Sequence, residues 1–223
     1  MIARRSLNGS MTLVGDIAQA TAPGAAANWD QVLNYLPSAT KEPRVRELTL
    51  SYRIPAPNLE LANKVLALAA PDLASPKAVR SVGTPPRIIQ IERENVNSVD
   101  DLVQQSVSLV EEESKALGGG SVAVIAPQSL IDQVDAALDA RGVDYGRATT
   151  ASRNVSGPLH PKIALMPVQL VKGLELDGTV VIEPSTILDE EPQGLRALYV
   201  ALTRSTKRLA IIHDRELPAV LRD

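Results

Sequence analysis

The chain has 223 residues, which is enough for one large domain or two small ones at about 150 residues per domain. Its 23 basic and 26 acidic side chains give a net charge of −3, which argues against a broad basic surface for nucleic acid and leaves only a local patch. There is no cysteine, which excludes disulfides and cysteine-based metal sites, and the two histidines, His160 and His213, lie too far apart in sequence to predict a metal site.

The core is expected to be aliphatic, because aromatic residues make up only 2% of the chain and phenylalanine does not occur. No apolar run approaches the roughly 20 residues that a membrane helix needs. The first residues also lack the apolar stretch and cleavage site of a signal peptide. We therefore expect a soluble, cytoplasmic protein. A strand signal begins close to the N-terminus, so we also expect the chain to be a fragment of a longer protein.

Apolar runs of strand length alternate with segments of helical periodicity along nearly the whole chain. Strands are predicted at residues 10–14, 48–51, 87–92, 121–126, 143–147, 162–166, 179–182 and 207–213. Helices are predicted at residues 29–36, 58–70, 98–117, 129–140 and from residue 195 to near Arg204, with a helical turn at 216–221. This alternation predicts an α/β domain with a mainly parallel sheet flanked by helices.

The helix that begins at residue 195 has the clearest pattern. Leu195, Leu198, Tyr199 and Leu202 recur at helical spacing and are expected to face a core. Arg204 comes directly after them, at the end of the helix and before an apolar strand. The pattern therefore predicts a helix that holds one guanidinium group in a fixed place, where it would meet an anion.

Polar side chains follow several predicted strands. The strand at 10–14 is followed by Asp16 and Gln19, and the strand at 48–51 by Tyr52 and Arg53. A loop at residues 172–175 lies a little beyond the strand at 162–166. Ligands of parallel sheets bind beyond the carboxyl ends of the strands, so we expect these groups to meet there.

These residue types suit a phosphoester that carries hydroxyl groups. The guanidinium groups of Arg53 and Arg204 match phosphate oxygens, and Glu175 could accept from a ribose hydroxyl. Gly173 would allow a close approach of the backbone. Each signal also has a simpler interpretation: Arg53 as a surface ion-pair partner, Glu175 as a solvated acid, and the segment around Asp16 as a plain turn.

A phosphate loop is absent from the sequence. Residues 118–121 are rich in glycine, but they lack a lysine and precede a strand, so they predict a helix end and not a phosphate site. The pattern G-x-x-x-x-G-K-[ST] does not occur, and no acidic pair follows a strand as magnesium ligands would.

Four segments in order resemble motifs of one enzyme family. TLVGDIAQ, LTLSYRIP, VKGLELDGTVVI and LYVALTRSTKRL are similar to the third to sixth motifs of UvrD/Rep-like superfamily 1 helicases, and they span residues 11 to 212. MTLVGDIAQAT, the tryptophan segment after it and ELTLSYRIPAPNLELAN resemble most closely the actinobacterial HelD-type proteins. These proteins are ATPases that bind RNA polymerase.

The resemblance implies the second RecA-like domain of a P-loop NTPase. Residues 1–40 would be the end of the first RecA-like domain with a linker, and residues 41–223 would be the second RecA-like domain. The implied enzyme is an ATP-dependent helicase or ATPase that uses ATP with Mg²⁺, whose ligands belong to the first domain. The implied partners are that N-terminal RecA-like domain, RNA polymerase and DNA, with no membrane. The chain alone is not expected to hydrolyse ATP.

The resemblance also implies a role for each matched residue. Arg53 and Arg204 would contact the γ-phosphate as arginine fingers, and Gln19 would sense the same phosphate. The other implied contacts come from four residues: Asp16 supporting the loop of Gln19, Tyr52 stacking on adenine, Glu175 accepting from the ribose, and Gly173 shaping its loop.

Two departures from the family pattern concern nucleic acid. Residues 20–24 contain no aromatic side chain where DNA-translocating members carry base-stacking residues, and Pro167, Gln169 and Leu170 stand where a threonine and a His-Ser pair are usual. A DNA-unwinding repair helicase of the UvrD/Rep type is therefore the second interpretation. The third is a non-catalytic α/β interaction module whose arginines and glutamates form surface ion pairs.

Overall fold

The computed structural model describes residues 11–36, 43–92, 99–148 and 162–222. The predicted domain boundary between residues 40 and 41, the predicted helix start at residue 98 and His160 lie outside the described residues. The helices are α1 (Trp29–Asn34), α2 (Ala56–Ala69), α3 (Val99–Ala116), α4 (Ile131–Ala140), α5 (Pro184–Glu190) and α6 (Gly194–Leu202). Single 3-10 turns lie at Ile17–Gln19, Gln128–Leu130, Val168–Leu170 and Ala219–Leu221.

Six strands form one parallel sheet, and two short strands form another. The large sheet has the order β3-β8-β7-β4-β6-β5, and every neighbouring pair in it is parallel. Its strands are β3 (Arg87–Gln90), β4 (Val122–Ala126), β5 (Tyr145–Arg147), β6 (Ile163–Pro167), β7 (Leu176–Ile182) and β8 (Ser205–His213). The small sheet pairs β1 (Leu50–Ser51) with β2 (Lys77–Ala78), also in parallel.

Helices cover both faces of the large sheet. The apolar residues of α2, α5 and α6 pack in one cluster on one face, and those of α3 and α4 pack in a second cluster on the other. All five residues of β4 are buried, with Ala123 and Ile125 in the first cluster and Val122, Val124 and Ala126 in the second. Burial on both faces explains why this strand is a continuous apolar run. The predicted RecA-like α/β arrangement is confirmed.

Local signals set the ends of the helices. Asp100 and Asp101 lie in the first turn of α3, where their charge favours the positive end of the helix dipole. Gly142 follows α4 with φ of 67°, a left-handed conformation that ends a helix and that glycine adopts without strain. Both ends agree with the sequence-based prediction.

Four elements differ from the prediction. Residues 11–14 form no strand, and Val14 is 90% exposed, because no strand in the described part of the chain lies beside them to complete a ladder. The strand predicted at 48–51 is only two residues long and pairs outside the large sheet. Helix α5 and strand β2 were missed, because both are short and lie in segments rich in proline and polar residues.

Candidate functional site

The site is built on the amino edge of the large sheet. Glu175 directly precedes β7, and Arg204 directly precedes β8, which is the parallel neighbour of β7. The two segments are joined where the Leu176 amide donates to the Arg204 carbonyl at 3.2 Å. The expectation of a site at the carboxyl ends was wrong. Strands β6 and β7 both run parallel to β4, so the chain returns from the carboxyl edge to the amino edge between them, and Glu175 lies at the start of a strand and not at the end.

At the carboxyl edge, a buried acid joins the ends of β7 and β8. Glu183, which is 2% exposed and has φ of 50°, ends β7 and accepts the amides of Asp214 and Arg215 with Oε2, at 3.0 and 3.3 Å. Burial raises the pKa of Glu183 to about 6. A carboxyl group that ties the ends of β7 and β8 together offers nothing that would attract an anionic phosphate.

Arg204 is buried, and its guanidinium group is held by oxygens of its own chain. Its Nε donates to the Val200 carbonyl at 3.0 Å and its Nη2 to Thr203 Oγ1 at 3.0 Å, while Nη1 makes a long contact of 3.4 Å with the Leu174 carbonyl. An arginine side chain has five N–H donors, so two remain for a ligand. No carboxylate among the described residues forms an ion pair with this side chain, which is 7% exposed as a residue.

The surroundings of Arg204 leave its charge poorly compensated. Burial lowers the pKa of Arg204, the positive charge of Arg53 lowers it further, and Tyr199 and Asp16 act in the opposite direction. Burial also raises the pKa of Tyr199 to about 12, with Asp16 adding to the rise. Arg53, Asp16 and Tyr199 are therefore all near enough to act electrostatically on one guanidinium. A buried cation without a paired anion is costly, so this position favours an anionic ligand.

Arg53 and Glu175 form an ion pair with each other. Arg53 Nη1 donates to Glu175 Oε1, and both side chains are more than half exposed. Exposed pairs contribute about 0–1 kcal/mol, so a ligand that binds both groups could separate them easily. The adjacent Tyr52 is 67% exposed, which leaves its ring open to solvent.

Asp16 and Gln19 lie in one tight turn. Asp16 accepts the Ala18 amide at 2.9 Å and Gln19 Nε2 at 2.7 Å, so the aspartate fixes both the 3-10 turn and the direction of the glutamine side chain. Lys172 Nζ donates to the Gln19 carbonyl at 2.8 Å and so joins this turn to the loop before β7. In that loop Gly173 has φ of 85°, a conformation that side chains rarely adopt.

Arg196 is a residue that the sequence analysis missed. It lies in α6 and is 7% exposed, and it donates to the carbonyls of Ala20, Ala26 and Ala27 at 3.4, 3.3 and 2.8 Å. It therefore anchors the loop that follows Gln19 to the same helix that ends at Arg204. A signal was present, because one arginine interrupts the apolar run of α6.

Replacing Arg196 by alanine is expected to release the segment of residues 17–27 from α6. Each hydrogen bond from a charged donor contributes about 1.5–3 kcal/mol, so amide hydrogen exchange in this segment should rise by about tenfold or more. Arg141→Ala is the matched control, since Arg141 is a partly exposed arginine that pairs with Glu111 beyond the opposite face of the sheet. Unchanged protection of residues 17–27 in Arg196→Ala would contradict the anchoring role.

Contacts and charges connect Asp16, Gln19, Arg53, Glu175 and Arg204, and Tyr52 and Gly173 lie close to these residues in sequence. The roles of all seven toward a nucleotide stay predictions. Among the described residues there is no cluster of three or more His, Cys, Asp or Glu side chains that could hold a metal ion. The helices in the described ranges include none that is both long and apolar enough to cross a membrane.

Comparison with known proteins shows that this chain shares its fold with a solved structure. No family model and no curated protein sequence matches the chain. The C-terminal domain of a possible DNA helicase from Lactobacillus plantarum WCFS1 is similar in structure, with a TM-score of 0.52 and 21% identity over 77% of this chain and 92% of that chain. Arterivirus nonstructural protein 10, a helicase solved with DNA, gives a TM-score of 0.36 and 18% identity over 70% of this chain and 33% of its own, too low for any inference.

Proposed function

We propose that this chain is the second RecA-like domain of an ATP-dependent helicase or ATPase, and that it completes a nucleotide site whose phosphate loop lies in another domain. The observation that carries the proposal is the buried guanidinium of Arg204, beside Arg53 and the turn of Gln19. Within the described ranges no carboxylate pairs with it, and two of its N–H donors have no partner there. The fold shared with the C-terminal domain of a possible DNA helicase supports the same assignment.

In this proposal Arg204 and Arg53 stabilise the negative charge that develops on the γ-phosphate oxygens. Arg204 is already held by Val200 and Thr203, so its free donors need little reorganisation when the charge appears, which is the condition for strong electrostatic stabilisation. Arg53 leaves its exposed partner Glu175 to reach the phosphate. That exchange releases the Glu175 carboxylate for a ribose hydroxyl.

The remaining contacts follow from position. The exposed ring of Tyr52 stacks on the adenine. The side-chain amide of Gln19 contacts the γ-phosphate, and its bond to Asp16 couples this contact to the 3-10 turn. Gly173 keeps the loop before Glu175 in its left-handed turn. Magnesium accompanies ATP and takes its protein ligands from the domain with the phosphate loop.

We also propose that the complete protein is of the HelD type and acts on RNA polymerase in the cytoplasm. The absence of aromatic residues at 20–24, after the Gln19 turn, supports this assignment over a DNA-unwinding repair helicase, because base-stacking side chains are missing there. Stimulation of ATP turnover by RNA polymerase, with no unwinding of a tailed duplex, is the expected result. Unwinding that needs no polymerase would favour the UvrD/Rep type.

The general proposal is tested by adding the chain to its partner domain. The chain is joined to a P-loop-bearing first domain, and ATP turnover is compared with that of the first domain alone. We expect the joined protein to be faster by about 10³-fold or more, the range of an added arginine finger. If both halves are folded and neither binding nor turnover of ATP is detected, the chain is a non-catalytic interaction module.

A further inference from the structure

We propose that Arg80 is a positioning residue for Arg53, an inference that rests on the proposed function. A single nitrogen of Arg80, Nη1, donates to the carbonyl of Arg53 at 2.7 Å and to the carbonyl of Thr206 at 2.6 Å. One guanidinium thus joins the segment after β1 to the start of β8, two residues beyond Arg204. Nothing in the sequence pattern distinguishes Arg80, which lies in a loop rich in proline and serine.

The contact matters because β1 lies outside the large sheet. Among the strands that the structure describes, β1 pairs only with β2, so no ladder hydrogen bond between them fixes Arg53 relative to β7 and β8. The backbone holds Arg80 itself in place, because its carbonyl accepts the Ala56 amide at 2.9 Å and the neighbouring Val79 amide donates to Ser51 at 2.8 Å. Arg80 is therefore well placed to set the distance between the small and the large sheet.

Thr206 extends the connection to the third site segment. Its Oγ1 donates to the carbonyl of Leu176, the residue after Glu175, at 3.1 Å. Arg80 and Thr206 together link the backbone segments that carry Arg53, Glu175 and Arg204. A buried hydrogen bond of 2.9 Å from Asn58 Nδ2 to Ser205 Oγ supports the same alignment from α2.

The role of Arg80 is distinct from that of a ligand-binding arginine. The side chain is exposed and no carboxylate of the described residues pairs with it, but its two short hydrogen bonds are both to main-chain oxygens. Hydrogen bonds to these two carbonyls fix the backbone around Arg53 relative to the start of β8. A catalytic group displaced by about 1 Å loses about 10²-fold in rate, so a loosened Arg53 should be visible in kcat.

The test is a double-mutant cycle in the protein joined to its P-loop-bearing domain. Arg80→Ala should lower kcat by roughly 10- to 100-fold when Arg53 is present and by less than about threefold in the Arg53→Ala background. Arg80→Lys should restore part of the loss, because both contacts come from the single nitrogen Nη1 and the three N–H groups of an ammonium can donate to the same two carbonyls. Lys77→Ala, an exposed cation on β2, is the matched control and should leave kcat unchanged. An equal loss in both backgrounds overturns the proposal, because Arg80 would then not act through Arg53.

A second measurement needs no nucleotide and separates this proposal from the proposed function. In the chain alone, hydrogen exchange of the peptide covering residues 51–59 should be faster in Arg80→Ala by about tenfold, while peptides of α3 and α4 keep their protection. Unchanged exchange at 51–59 overturns the positioning role even if ATP turnover is normal. If the wild-type protein turns over no ATP but exchange changes as expected, the proposed function fails and the link between the two sheets stands.

Discussion

Replacing Arg204 by alanine is expected to lower ATP turnover by about 10³- to 10⁵-fold in the protein joined to its P-loop-bearing domain. The reason is the state of this side chain before any ligand binds. Its guanidinium is buried, is held by Val200 and Thr203, and has no ion-paired carboxylate among the described residues. Alanine removes a charge that is already oriented.

Two further variants and a folding control make this measurement specific. Arg204→Lys keeps a charge but loses the guanidinium that Val200 and Thr203 hold. Its ATP turnover should still be lower than that of the wild type by about 10²-fold or more. Arg141→Ala removes an arginine from the opposite face and should change turnover by less than about twofold. Thermal unfolding of each variant shows whether a loss comes from unfolding. A folded Arg204→Ala protein with turnover near the wild-type rate would remove the arginine-finger role.

The fold could be predicted because its signals are local. Strand β4 is apolar at every position since helices cover both faces of the sheet, and the alternation of strands and helices follows from parallel pairing. The strand predicted at 10–14 failed for the opposite reason. An apolar run becomes a strand only beside another strand, and the sequence does not say whether one is there.

The site could be predicted only in part. Arg204 follows a strongly patterned helix, so its fixed position was readable from the chain. The pairing of Arg53 with Glu175 and the anchoring by Arg196 join residues more than 100 positions apart, and no spacing rule predicts such contacts. The predicted edge of the sheet was wrong. The loop at residues 172–175 was assigned to the end of the strand before it, whereas these residues lie at the start of β7.

A buried acid stabilises the same amino edge, and its replacement has the second large expected effect. Glu113 of α3 is 2% exposed and accepts Arg208 Nε at 2.5 Å and Nη2 at 3.2 Å, as well as Arg87 Nη1 at 2.8 Å. It thereby ties α3 to the neighbouring strands β3 and β8. Glu113→Gln should lower the free energy of unfolding by about 3 kcal/mol, because two arginines lose their shared anion.

Glu112 provides a matched control one residue away. Among the described residues it pairs with Arg87 alone, at 3.1 Å, and its side chain is 61% exposed. Glu112→Gln should therefore change the free energy of unfolding by no more than about 1 kcal/mol. Urea unfolding of the two variants separates a buried acid from an exposed one with the same substitution. Equal effects would show that the burial of Glu113 and its second arginine add nothing.

The stabilisation by Glu113 should also depend on pH. Burial alone raises the pKa of Glu113, but hydrogen bonds and charges from Arg208 and Arg87 outweigh it, so the pKa lies below the usual 4.5. The unfolded chain therefore takes up this proton first as pH falls, and the stabilisation is complete above pH 4.5 and is lost below it, through the lower folded-state pKa. The stability difference between the wild type and Glu113→Gln should shrink on acidification in that range. A difference that stays constant would mean that Glu113 acts through its shape and not through its charge.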